Sequence, residues 1–123
     1  MRGYVWVMRN YRELIAWKKG VELSLMVYKL TKDLPWDEDL GLKSQMRRAS
    51  VSIPSNLSEG ASRRTNKDFC RFVRISLGSC SELETQLEIM KGYYSIETTE
   101  EFKNLHLEVR KLLIGLIKSL TDQ

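Results

Sequence analysis

Apolar residues recur every three or four positions along most of this chain, the spacing that places them on one face of an α-helix. In the clearest stretch the steps alternate between four and three residues without a break, through Phe69, Val73, Ser76, Cys80, Leu83, Leu87 and Met90. Thr65 and Asp68 resemble a capping box at the start of this pattern, and Gly92 is expected to end it. The pattern predicts one long helix between these signals.

A second seam of the same kind lies near the end of the sequence and predicts another long helix. Its N-terminus is expected at Thr98 or Thr99, because Glu100 and Glu101 supply the negative charge that a helix start favours. The inward positions are predicted to be Phe102, Leu105, Val109, Leu112, Leu116 and Leu120.

The first helical pattern must end before Pro35, because the residue preceding a proline is pushed out of the helical region. Three acidic residues then connect it to the next helix, which is predicted to begin near Leu40. The spacing predicts that the first helix buries Leu14, Trp17, Val21, Leu25, Tyr28 and Leu30, and that the next buries Leu42, Met46, Ala49, Ile53 and Leu57.

Two residues interrupt the second helical pattern. Pro54 removes one backbone hydrogen bond, so the helix is expected either to kink or to restart there. Gly60 is expected to end or bend the pattern. No strand alternation or internal repeat is present. The predicted fold is all-α: an up-down antiparallel four-helix bundle with a proline-kinked second helix.

The chain of 123 residues has the length of one domain. We expect the bundle to span residues 11–123 and residues 1–10 to form an N-terminal extension outside the fold. Met8 offers a second start position, so residues 1–7 are interpreted as an upstream segment rather than a secretory signal.

Composition narrows the function classes. The apolar and charged contents, 42% and 29%, are ordinary for a globular protein, and no apolar run is long enough for a membrane span. Cys70 and Cys80 would lie about 15 Å apart along one helix, too far for a disulfide, which favours a reducing cytoplasmic location. With one histidine, His106, no metal site or cofactor is predicted, and no catalytic motif is evident.

Positive charge is concentrated in one block of the sequence. Residues 43–74 contain eight basic and two acidic residues, a net charge of +6, whereas the remaining residues sum to −2. Such a block is typical of proteins that bind polyanions. The cations at the end of the second helix and the start of the third are expected to form one continuous, solvent-facing surface. The candidate nucleic-acid-binding residues of the block are Arg47, Arg48, Arg63, Arg64, Lys67, Arg71 and Arg74.

The block also permits other interpretations. On the heptad frame Lys67, Arg71 and Arg74 face away from the core, so they either contact phosphate or form an ordinary solvated face. The nearby serines favour close helix packing over phosphate binding. Aromatic residues are scarce in the block, so recognition of a nucleic-acid backbone is favoured over stacking on bases.

Three long segments of the sequence, GLKSQMRRASVSIPSNLSEGASR, KDFCRFVRISLGSCSELETQLEI and LLIGLIKSL, resemble proteins encoded within intervening sequences of bacterial 23S ribosomal RNA genes. The resemblance covers about residues 11–121 and implies an up-down four-helix bundle, similar in fold to the accessory protein of diversity-generating retroelements. It also implies a homo-oligomer, a pentamer, with a positively charged surface. It implies no established biochemical role.

The leading hypothesis is a non-enzymatic bundle that self-associates and binds RNA or another nucleic acid through its basic block. The alternative hypothesis is a structural or adaptor module that recruits a protein partner.

Overall fold

The structure is a computed structural model that describes residues 10–122. These residues form four α-helices and no strand: α1 (Ile15–Thr31), α2 (Leu42–Ala61), α3 (Asn66–Tyr94) and α4 (Glu100–Thr121). Short 3-10 helices precede α1 (Tyr11–Glu13) and α2 (Trp36–Glu38). The expectations for residues 1–7 and for a start at Met8 lie outside the described residues. The fold is the all-α four-helix bundle that the sequence predicts.

Side-chain contacts define how α1 and α2 pack. The hydroxyls of Ser24 and Ser50 are 3.2 Å apart, and Arg47 donates from Nε to Thr31 Oγ1 at 2.9 Å. Contact positions therefore rise along α1 as they fall along α2, so the two helices are antiparallel.

Hydrogen bonds between α2 and α3 define the relative direction of these two helices. Ser76 donates to the carbonyl of Ile53 at 2.8 Å, and Ser79 donates to Ser52 Oγ at 2.8 Å. This pair is also antiparallel. The helix α2 continues as an α-helix through Pro54, and the kink at that residue stays a prediction.

The predicted seams of α2 and α3 form most of the core. Every predicted inward position of these helices is buried except Leu42 and Leu87, which are half-buried and pack against the core. In α4, Phe102, Leu105 and Val109 are buried as predicted. Farther along α4 the fully buried residue is Leu113, and the predicted Leu112, Leu116 and Leu120 are half-buried against the same core.

The predicted buried face of α1 is wrong at Leu25 and Tyr28, whereas Leu14, Trp17 and Leu30 are half-buried against the core. Leu25 and Tyr28 are 58% and 42% exposed, and the residues that α1 buries are Ala16, Gly20, Leu23, Ser24, Val27 and Thr31. The reason is the close approach of α2: a Cβ on Gly20 would lie 3.3 Å from Ile53 Cγ2. Small side chains fit this contact, and the larger apolar side chains lie on the outer side of α1.

Helix termini follow the predicted caps at the N-terminal ends. Thr65 Oγ1 accepts from the Asp68 amide at 3.1 Å, and Thr99, rather than Thr98, accepts from the Phe102 amide at 3.1 Å. The predicted stop at Gly92 is wrong, because α3 continues to Tyr94 and ends where Ser95 adopts the left-handed region at φ 57°. The αL geometry at Ser95 breaks the helical hydrogen-bond pattern.

Gly60 lies inside α2, which ends one residue later, at Ala61. Its role is steric. A Cβ at this position would lie 2.7 Å from Phe72 Cβ and 2.9 Å from Phe69 Cδ1. The glycine therefore allows the end of α2 to contact α3 directly.

Candidate nucleic-acid interface

Five of the seven predicted cations lie where α2 gives way to α3. Two occupy the connection between the helices and three lie on the first turns of α3; we refer to Arg63, Arg64, Lys67, Arg71 and Arg74 as the junction cluster. The outward orientation expected from the heptad frame is confirmed for its three helical members, all of which are exposed.

Two carboxylates lie within the junction cluster and pair with part of it. Arg71 donates from Nη2 and Nε to Asp68 Oδ1 at 2.9 and 3.1 Å, and Arg63 Nε lies 3.9 Å from Asp68 Oδ2. Arg63 also pairs with Glu59 at 2.9 Å, the i, i+4 surface pair that the sequence predicts. The five cations and two carboxylates leave a local net charge of +3.

Arg63 and Arg71 also pack on an aromatic ring. Their guanidinium carbons lie 4.6 and 4.7 Å from the centroid of Phe72, which is only 9% exposed. Cation–π contacts of this kind fix the orientation of both guanidinium groups. They also cover the ring, so Phe72 offers no platform on which a base could stack.

Lys67 and Arg74 differ from these paired arginines. Both side chains are exposed, and neither forms an ion pair or hydrogen bond with any residue between 10 and 122. Lys67 lies in the first turn of α3, where the positive end of the helix dipole disfavours a cation. These two charges are therefore available to an external anion.

Arg47 and Arg48 lie apart from the junction cluster. Thirteen residues of α2 follow Arg48 before the helix ends at Ala61, a distance of about 20 Å along the axis. Arg47 and Arg48 therefore lie outside the surface expected at the end of the second helix and the start of the third, because the rise of α2 separates them from it. Arg47 is held at the end of α1, where it donates to the Tyr28 carbonyl at 3.2 Å and packs 4.5 Å above the Tyr28 ring.

The predicted packing role of the serines holds for two of them. Ser50 is fully buried and contacts α1 through Ser24, and Ser52 contacts α3 through Ser79. Small hydroxyl side chains allow the three helices to approach closely while their polar atoms remain hydrogen-bonded.

A buried histidine on α4 is the main polar contact that the sequence did not predict. His106 is 8% exposed, and its Nε2 lies 3.0 Å from the carbonyl oxygen of Cys80. Burial lowers the pKa of His106 and raises the pKa of the Cys80 thiol to about 11. The thiol is thus protonated at neutral pH, and the pair lacks the thiolate that a cysteine nucleophile requires.

Outside the basic groups, the surface carries an apolar stripe along α1. A groove of about 210 Å³ between α1 and α2 is lined by Val21, Leu25, Tyr28, Val51 and Pro54, together with the edge of Ser24. We refer to Val21, Leu25, Tyr28 and Val51 as the α1 stripe. Clustered exposed apolar side chains of this kind are typical of interaction surfaces.

The described part of the chain holds neither a metal-binding cluster nor a membrane-spanning helix. Residues 10–122 contain no group of three or more histidine, cysteine, aspartate or glutamate side chains placed to hold a metal ion. None of the four helices combines the length and hydrophobicity that crossing a lipid bilayer requires.

Comparison with known proteins places this bundle in a family. A solved structure of a protein of unknown function, from the S23 ribosomal protein family of Bacteroides thetaiotaomicron, is similar to this chain with a TM-score of 0.70 and 26% identity. The match covers 85% of this chain and 99% of that one. No curated protein sequence matches. Residues 12–115 match the family described as 23S rRNA-intervening sequence protein, and the chain belongs to that family.

Proposed function

We propose that this protein binds RNA through the sugar-phosphate backbone, with the junction cluster as the main contact. The observation that carries the proposal is the pair of exposed cations, Lys67 and Arg74, that no carboxylate of residues 10–122 neutralises. Phosphate is a suitable counter-ion, because the positive end of the α3 dipole and the nearby cations both attract anions. The family description, 23S rRNA-intervening sequence protein, makes RNA the first polyanion to test.

Backbone contacts are favoured over base recognition. Phe69 is 1% exposed and Phe72 lies beneath two guanidinium groups, so neither aromatic ring of the cluster is available for stacking. Contacts to phosphate position a protein on nucleic acid but carry little sequence information. We therefore propose weak sequence preference and strong dependence on salt.

The test is a charge reversal with a matched control. The double variant Lys67→Glu/Arg74→Glu should bind RNA at least about tenfold more weakly than wild type, because two phosphate contacts are lost. Each lost contact should also reduce the slope of log affinity against log salt concentration by about 0.7. The control Lys18→Glu/Lys111→Glu makes the same change in net charge at two exposed lysines elsewhere, neither of them in an ion pair within residues 10–122.

Fluorescence anisotropy with a labelled RNA, at several salt concentrations, measures both quantities. Equal affinities for the two double variants would contradict the proposal, because binding would then follow net charge rather than the junction cluster. Circular dichroism spectra of both variants should match that of wild type, which shows that the fold is retained.

We also propose that the protein self-associates through the α1 stripe, in a ring of five subunits as the resemblance implies. The supporting observation is the exposure of large apolar side chains, including Leu25 at 58%, on a helix whose inner face is already buried. Burial of this surface would contribute about 25 cal/mol per Å². A ring would also bring several junction clusters around one axis and strengthen the field that attracts RNA.

Sedimentation velocity tests the association. Wild type should sediment as a species several times heavier than the 14.4 kDa monomer, and Leu25→Ser should shift it towards the monomer. Leu107→Ser is the matched control, because Leu107 is a leucine of similar exposure, 49%, on α4. A monomeric wild-type protein would contradict the proposal.

The α1 stripe also suits the second candidate function, an adaptor that recruits a protein partner. A pull-down would then recover a stoichiometric protein partner that stays bound after nuclease treatment and does not bind Leu25→Ser. Both candidates are non-enzymatic, which fits a buried Cys80 thiol that carries no charge at neutral pH. Two free, buried cysteines suit a reducing compartment, so we propose that the protein acts in the cytoplasm.

A further inference from the structure

A groove along α2 combines cations and hydrogen-bond donors at a distance from the junction cluster. It has a volume of about 630 Å³ and extends over three turns of the helix. Its polar lining comes mainly from Lys43, Ser44, Arg47, Arg48, Ser52 and Asn56, and we refer to these residues as the α2 groove.

The α2 groove is positively charged. Three of its side chains are cations, and the one carboxylate in its lining, Asp39, pairs with Lys43 at 2.7 Å. Arg48 forms no ion pair or hydrogen bond with another described residue. It also borders a neighbouring depression that contains Glu82, so the groove is the more positive of the two surfaces that Arg48 faces.

Arg47 is held in place without using all its donors. Two contacts, from Nε to Thr31 Oγ1 and from Nη2 to the Tyr28 carbonyl, together with the Tyr28 ring, fix its guanidinium. Of its five N–H donors, the remaining three have no partner within residues 10–122. A guanidinium fixed in this way loses little side-chain entropy when it binds phosphate.

The other donors are regularly spaced. Ser44, Arg48 and Ser52 follow one another at four-residue intervals, which places them on one face of α2 about 6 Å apart along its axis. Asn56 continues this row, but both of its side-chain N–H groups already donate to Ser52. Ser52 Oγ accepts from Ser79 and from Asn56, so its own hydroxyl hydrogen is still available. An interval of about 6 Å is close to two phosphate repeats of a stacked strand, at about 3.4 Å each, so successive donors suit every second phosphate.

We infer that the α2 groove is a second phosphate-binding site, and that one RNA strand extends from it to the junction cluster. This inference rests on the proposed function and specifies the form of its ligand. At about 3.4 Å per phosphate for a stacked strand, the distance of about 20 Å from Arg48 to the end of α2, where the junction cluster begins, corresponds to about six nucleotides. Shorter strands contact one site, and longer strands contact both.

The experiment compares a four-nucleotide with a ten-nucleotide oligoadenylate, a strand whose bases stack, with lengths chosen on either side of that estimate of about six. At one salt concentration, wild type should bind the longer strand at least about tenfold more tightly, because a second contact on the same ligand raises the effective concentration. Arg48→Glu should lose most of this gain. It should bind the shorter strand within about twofold of wild type, because the junction cluster is intact.

Lys18→Glu is the control, since it makes the same change of charge at an exposed residue of α1 outside both sites. Arg48→Gln, which introduces no negative charge near Glu82, should reduce the length-dependent gain in the same direction by a smaller factor. If Arg48→Glu shows the same length-dependent gain in affinity as Lys18→Glu, the inference is overturned, whereas the proposed RNA binding at the junction cluster is unaffected. Tighter binding of a ten-base-pair duplex than of the single strand also overturns it. Failure of wild type to bind any RNA contradicts the proposed function as well.

Discussion

Replacing Gly60 with alanine should destabilise the bundle, although alanine favours helix more than glycine does. Gly60 lies within α2 and is fully covered by α3. An added Cβ would lie 2.7 Å from Phe72 Cβ, 2.9 Å from Phe69 Cδ1 and 3.3 Å from the Phe69 carbonyl oxygen. Two of these atoms belong to backbone or to a Cβ, and rotation of a side chain cannot move them away.

Two opposing effects set the magnitude. Gly→Ala inside a helix gains about 1 kcal/mol from the lower conformational entropy of the unfolded chain and the higher helix propensity. Overpacking a well-filled contact costs about 1–3 kcal/mol, and contacts below 3 Å with immobile atoms place this case at or above the upper limit. We expect a net loss of about 2 kcal/mol in the free energy of unfolding for Gly60→Ala.

Gly78→Ala is the internal control. Gly78 lies in the interior of α3, is exposed, and a Cβ there would meet no heavy atom within 4 Å. Only the propensity effect then operates, so this variant should gain about 0.5–1 kcal/mol. The two variants make the same chemical change and should move stability in opposite directions.

Urea unfolding followed by far-ultraviolet circular dichroism measures both free energies, with unchanged m-values as the check that the unfolded states are comparable. A Gly60→Ala midpoint at or above that of wild type would refute the reasoning, because α2 and α3 would then separate at little cost. A Gly78→Ala midpoint that falls as far as that of Gly60→Ala would also refute it, because the loss would not depend on the contact with α3.

Three further outcomes follow from the titratable groups. Burial lowers the pKa of His106 in the folded state, so the unfolded chain binds more protons below pH about 6.5 and the free energy of unfolding should fall as the pH drops through that range. Chemical denaturation at several pH values should show a smaller fall for His106→Gln. The hydrogen bond from Tyr94 to Glu38 raises the pKa of Tyr94 to about 12, and an ultraviolet titration of Glu38→Gln should show that ionisation at lower pH. The Cys80 thiol, fully buried and with its pKa raised to about 11, should react with iodoacetamide at pH about 8 far more slowly in native protein than in denaturant.

The sequence predicts three of the four helical cores because each of those helices carries one apolar seam. In α3 the heptad pattern identifies both the buried face and the outward direction of Lys67 and Arg74. In α1 the pattern misleads, because large apolar residues occupy the outer side and the contact with α2 depends on Gly20 and Ser24. Hydrophobic periodicity measures side-chain size and polarity, whereas this contact is selected by how closely two backbones approach.

The sequence identifies the seven candidate cations, but it does not indicate how they are arranged. Charge counting identifies all seven cations, since it needs no coordinates. It gives no indication that Arg47 packs at the end of α1, or that Asp68 and Phe72 bind two members of the junction cluster. The four-residue spacing of Ser44, Arg48, Ser52 and Asn56 was visible in the sequence and signals one helical face, yet its meaning required knowing that α1 leaves that face open.

The small inner face of α1 has a consequence for how the bundle opens. Its only large buried apolar side chains are Leu23 and Val27, whereas α3 buries Phe69, Leu83 and Met90 among others, and α4 buries Phe102, Leu105, Val109 and Leu113. Local opening free energies follow the apolar area that an element buries, so α1 is the helix whose amides should exchange with solvent through the smallest fluctuation. If a neighbouring subunit covers the outer side of the same helix, assembly supplies the burial that the isolated bundle lacks there, and the ordering of α1 becomes thermodynamically linked to protein concentration.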